Sequence, residues 1–149
     1  MEKLIGIIHF LVHVFFCSYG VTKKNWFDFY YISIVFIGAL LWTVLKGECF
    51  VSLLIKLANN PSYIMGTDTS AKDLHLIFGK KYEKQMGIVI YLLTIIKTWS
   101  IYTVLNRLKI NYSFIIACLY LFYAFNTYKP LVYQPIFFCI FAYVLFLIN

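Results

Sequence analysis

The stretch "LLWTVLKGECFVSLLIKLANNPSYIMGTDTS", residues 40–70, decides how this chain is read. Up to Leu45 the residues suit oil. Lys46, Gly47, Glu48 and Cys49 then break the run, a second apolar run follows, and Asn59-Asn60-Pro61 opens the one sizeable polar stretch. A greasy chain that keeps a single polar island meets two different solvents.

Working outward, the 149 residues are 62% hydrophobic and 21% aromatic, with 13% charged and a mean hydropathy of +0.81. Soluble domains carry about 25% charged residues. A fold this small has too little interior for so much apolar surface, so lipid is the expected solvent for most of it. Apolar runs fall at 4–21, 29–45, 86–105, 110–125 and 131–148. A bilayer-crossing helix needs about 17–25 residues; the fourth run is the shortest and crosses only with Tyr128 and its neighbours in the interface. The runs lack the polar–apolar alternation of a β-barrel. The expected fold is therefore all-α, a polytopic helical bundle of four or five transmembrane helices. It forms one membrane domain over 1–149, with an exposed polar segment at 46–85. The first run resembles a signal peptide in its flanks and is read as the first span.

The formal net charge of +7 comes from 13 Lys and Arg against 6 Asp and Glu. These charges form no arginine-rich block, so no nucleic-acid partner is expected; lysines beside a bilayer serve anionic headgroups. Lys3, Lys46, Lys56, Lys72, Lys80, Lys81, Lys84 and Lys129 fall on one side of a five-span topology. Lys23, Lys24, Arg107 and Lys109 fall on the other. The positive-inside rule then favours a cytosolic N-terminus and a cytosolic 46–85 segment. Within it, 47–58 reads as a helix ended before Pro61. Residues 63–68 read as a turn with Gly66 at positive φ. Ser70 reads as an N-cap with Asp73 at N3, starting a short helix over 71–78 that Gly79 stops.

Gly6, His9, His13, Cys17 and Gly20 lie on one helical face. His9 and His13 are weak candidates for a metal site, because two ligands are insufficient without others. A seam of small and hydrogen-bonding residues against another helix is the expected role. Lys97, near the middle of the third apolar run, is an intramembrane polar residue and by default a functional candidate. With no carboxylate at its depth, a lysine turned towards backbone carbonyls or snorkelling to water is favoured over an ion pathway. Cys17, Cys49, Cys118 and Cys139 form no CxxC pair and read as buried free thiols. The tyrosines and tryptophans read as interfacial belts and helix packing. Walker, HExxH, GxSxG and dinucleotide signatures are missing from the sequence, so neither enzyme activity nor a cofactor is expected.

The run Trp42-Thr43-Val44-Leu45-Lys46-Gly47-Glu48-Cys49 is followed by Asn60-Pro61-Ser62-Tyr63-Ile64-Met65-Gly66. Together they resemble the core of small multispanning membrane proteins of nucleocytoplasmic large DNA viruses, over residues 42–78. The resemblance implies a minor capsid or membrane protein in the virion's internal, host-endomembrane-derived bilayer. Arg107 is the sole arginine beside twelve lysines, a bias of AT-rich genomes found in such viruses, in protists and in organelles. On this expectation 46–85 docks the bilayer to capsid or other membrane-complex proteins. Glu48, Tyr63, Met65, Asp68, Asp73 and His75 are the docking candidates, with Glu48 also able to pair with Lys46 or Lys56. Two other classes fit the composition: a non-catalytic accessory subunit of a respiratory complex in the mitochondrial inner membrane, and a small channel lined by Lys97 and the His9/His13 face.

Overall fold

A computed structural model describes residues 2–22, 26–70, 72–126 and 134–148, and the described residues are helical with no strand. The helices are α1 (Glu2–Ser18), α2 (Asp28–Val44), α3 (Phe50–Asn59), α4 (Lys72–Phe78), α5 (Glu83–Arg107), α6 (Ser113–Asn126) and α7 (Gln134–Ile148). Short 3₁₀ turns at Tyr19–Val21 and Lys80–Tyr82 extend α1 and precede α5. The apolar runs became α1, α2, α5, α6 and α7, and the polar segment holds α3 and α4.

Helical spacing selects the core. On α2, Ile32, Val35, Phe36 and Ala39 are buried, an i, i+3, i+4, i+7 stripe. They meet Ile101, Val104 and Leu105 of α5, Ile116, Ala117, Tyr120 and Tyr123 of α6, and Phe137, Phe141 and Val144 of α7. Phe36 stacks on Phe141 at 5.0 Å, which pins α7 to α2. The α5–α6 pair is antiparallel, as its short connection predicts: Tyr102 meets Phe114 near one end and Tyr91 meets Phe125 near the other. Tyr123 fastens α6 to α2 by donating to the Ala39 carbonyl, with Thr43 Oγ1 2.7 Å from its hydroxyl.

The outside of this bundle is apolar too. Leu4, Ile8 and Leu11 on α1, Ile34, Ile37 and Leu41 on α2, and Ile88, Leu92 and Ile95 on α5 are exposed. So are Phe114 and Phe122 on α6 and Ile136, Phe138 and Phe146 on α7. A surface this continuous in hydrocarbon suits lipid rather than water.

Among the described residues, two helical stretches are long and apolar enough to cross a bilayer unaided. Glu2–Val21 has 20 residues and a hydropathy of 2.0, and Lys80–Arg107 has 28 residues and 1.8. The remaining apolar helices are shorter: α2 has 17 residues, α6 has 14 and α7 has 15. At a rise of about 1.5 Å per residue, α2 is about 26 Å long and α6 about 21 Å, against a hydrocarbon core of about 30 Å. Helix length among the described residues thus supports two of the four or five spans expected.

Candidate functional site

The turn after α2 explains why Lys46-Gly47-Glu48 interrupts an apolar run. The Gly47 amide donates to the Trp42 carbonyl at 2.8 Å and the Lys46 amide to Thr43 at 3.2 Å. This is a Schellman ending. Lys46 has φ +53 and Gly47 φ +83, and the chain swings so that Glu48 points inward with 1% exposure.

A buried carboxylate must find partners, and the second half of the opening stretch supplies them. Glu48 Oε1 accepts from the Tyr63 hydroxyl at 2.8 Å and from the Gly66 amide, while Lys56 Nζ donates to Oε2 at 3.3 Å. Lys56 also donates to the Asp68 carbonyl, lies 3.7 Å from the Asp68 carboxylate, and sits 5.5 Å from the centre of the Tyr63 ring. Its side chain is 5% exposed. Gly66 has the expected positive φ, +90, and a Cβ there would meet the Lys46 side chain at 2.9 Å. The loop after α3 is thus wound around Glu48. Of the two partners weighed for Glu48, Lys56 is the one it takes.

Asp68 extends the knot outward. Its Oδ1 accepts from the Ser70 amide at 2.8 Å. That hydrogen bonding with Ser70, aided by the nearby Lys56 and Lys72 charges, holds its carboxyl below the ordinary aspartate value. Gly79 ends α4 with φ +81, as its position after Phe78 predicts. His75 is half-buried, with Nε2 3.9 Å from Glu83. Met65 is half-buried and Ile64 is 70% exposed. Asp73 belongs to α4, and its side chain lies outside the described residues. The structure therefore unites Glu48, Tyr63 and Asp68 in one network and leaves Met65 and His75 apart from it. Glu48 faces the interior, so its carboxylate does not reach a partner's surface.

A second polar lock closes the opposite end. Asp28, fully buried, takes a two-pronged contact from Arg107: Nε to Oδ2 at 2.8 Å and Nη2 to Oδ1 at 2.7 Å. Arg107 also donates to the Thr22 carbonyl at 2.6 Å and lies 5.7 Å from the Tyr19 ring centre. The sequence places Asp28 and Arg107 on one side of the bundle, but nothing in it pairs them. Nearby, Gly20 touches Ser100 so closely that a Cβ would fall 2.4 Å from the Ser100 Cα. Ser100 Oγ accepts from the Gly20 amide at 3.1 Å and donates to the Cys17 carbonyl. The small-residue seam on α1 is thus occupied by α5 at Cys17 and Gly20.

The other part of that seam borders a cavity. A space of about 280 Å³ lies among α1, α2, α5 and the ends of α3 and α4. Val12, Phe16, Val35, Leu41 and Ile90 give it apolar walls, and His9, His13, Thr94, Lys97 and Tyr120 add polar groups. His9 Nε2 stands 3.6 Å from Cys49 Sγ. Lys97 Nζ lies 5.7 Å from the Tyr120 ring centre. Among the described residues no three His, Cys, Asp or Glu side chains converge as a metal-binding group. Cys17 is buried, whereas Cys118 and Cys139 are exposed on the outer surface rather than buried as expected. In the sequence Lys97 and the His9/His13 face come together only as the lining of a channel; the structure places all three on this cavity.

No protein-family model, curated protein or solved structure matches this chain. What the fold defines by itself is a helical protein with two candidate membrane-crossing helices and a polar loop locked to a buried carboxylate.

Proposed function

We propose that this chain is a structural protein of a membrane, non-catalytic, whose 46–85 segment docks a bilayer to a protein assembly. The shorter α2, α6 and α7 join α1 and α5 in a bundle of four or five spans, with interfacial tyrosines and local thinning absorbing the mismatch. Following the resemblance of residues 42–78, the assembly is a viral capsid and the bilayer the virion's internal membrane.

The observation that carries this reading is the fixed shape of the 60–70 loop. Winding a loop around Glu48 removes its conformational freedom before any partner arrives, and pre-organisation of this kind is what strengthens binding. The loop then presents Ile64 as an apolar anchor, ringed by the exposed Lys46, Thr67 and Asp68. Lys72, Lys80, Lys81 and Lys84 follow it and are exposed as well, so the matching surface on the partner is acidic with an apolar recess. Tyr63, Glu48 and Lys56 act inside the loop as its frame.

Purified particles of the source virus, stripped with non-ionic detergent, test this directly. The chain is expected to stay with capsid fragments, and Ile64→Asp is expected to release it with the lipid while leaving the fold intact. Recovery of the wild-type chain wholly in the detergent fraction contradicts the docking role.

A further inference from the structure

Docking at 46–85 leaves the half-open cavity beside α1, α2 and α5 without a role, and its lining has a definite chemistry. Its walls carry no Asp or Glu among the described residues, and its polar side chains include the Lys97 amine and two imidazoles. Among the described residues Lys97 makes no ion pair. Its neighbour is the Tyr120 ring at 5.7 Å, a weak stand-in for an anion. Lys97 lies ten residues before Arg107, about 15 Å along α5 from the Asp28 lock, a depth at which an isolated ammonium is costly. An anionic group brought to half-buried Lys97 is screened less than it would be in open water.

We propose that the cavity binds a single-chain fatty carboxylate, its head on Lys97 and its tail along Phe16, Val35, Leu41 and Ile90. Three features select this ligand. The cation calls for an anion, and the apolar walls call for an alkyl chain. The volume of about 280 Å³ stands just below the usual range of small-molecule pockets, about 300–1,000 Å³, which suits one alkyl chain. The membrane itself delivers such a molecule laterally.

The full chain, purified in a neutral detergent, is titrated with dodecanoate and with dodecanol, and bound ligand is counted by native mass spectrometry. Saturable dodecanoate binding is expected, tighter than dodecanol by on the order of tenfold, because charge-assisted hydrogen bonds are the strong ones. Lys97→Gln is expected to erase that preference and Lys97→Arg to keep it. Gly38 lines the cavity and is exposed, and a Cβ there meets nothing within 4 Å, so Gly38→Leu narrows the space from the α2 side and is expected to weaken binding strongly. Equal binding of dodecanol and dodecanoate to the wild type overturns the proposal. So does unchanged binding in Gly38→Leu, which decides the matter even if Lys97→Gln fails to fold.

Discussion

Glu48 and Lys56 illustrate how a buried pair is held by more than mutual attraction. Taking both charges out of water costs several kcal/mol each, and only good geometry with further hydrogen bonds offsets that. Here Tyr63, Gly66 and the Asp68 carbonyl provide them. Removing one partner strands the other, so Lys56→Met is expected to destabilise the chain by about 3–5 kcal/mol. The double variant Glu48→Gln/Lys56→Met should recover a large part of this loss, read from unfolding midpoints in detergent. Equal losses in single and double variants would show that the pair is not coupled. At the other lock, Arg107→Lys keeps the charge and loses the planar fork, and is expected to cost about 1.5–3 kcal/mol. Asp68 gives the acid response. Its folded carboxyl titrates below the ordinary value of 3.8, so its contribution is present above that value and disappears as pH falls through the folded one. The Ser70 amide resonance should therefore shift with a midpoint under 3.8, and Asp68→Asn should abolish the shift.

At the scale of elements, the sequence made much of the fold legible, because its stop signals are local. Gly79 and Gly66 adopt positive φ where turn chemistry demands it, and the apolar runs match α1, α2, α5, α6 and α7 within a few residues. The 46–85 segment shows where legibility ends. It reads as exposed, yet α4 packs on α1, with Phe78 5.5 Å from Phe10 edge to face, and Ser52, Leu53 and Ile55 of α3 are buried. Tertiary burial of a short helix leaves no mark that a local window can read, since a seven-residue helix has barely two turns of periodicity. The same holds for Asp28 and Arg107, 79 residues apart. For Gly20 and Gly38, sequence spacing cannot separate the roles, but the structure predicts opposite outcomes. Gly20→Ala drives a methyl into the α5 backbone and is expected to cost about 1–3 kcal/mol as overpacking. Gly38→Ala meets open space and should be neutral or stabilising by up to about 1 kcal/mol through helix propensity. Thermal unfolding of the two variants side by side checks the contrast.

On the scale of the whole molecule, one physical relation organises the rest: hydrocarbon on the outside of the bundle, and buried ion pairs at its two ends. The Glu48 knot closes the end where α2 stops and α5 starts, and the Asp28–Arg107 lock closes the end where α5 stops. The membrane reading proposed above sets these ends on opposite faces of a bilayer, which sealed vesicles can test in a variant with Cys17, Cys49, Cys118 and Cys139 replaced by Ala. A membrane-impermeant thiol reagent is expected to label Ile64→Cys from one face and Lys109→Cys from the other. Labelling of both positions from the same face, or recovery of the chain in buffer without detergent, would contradict the account.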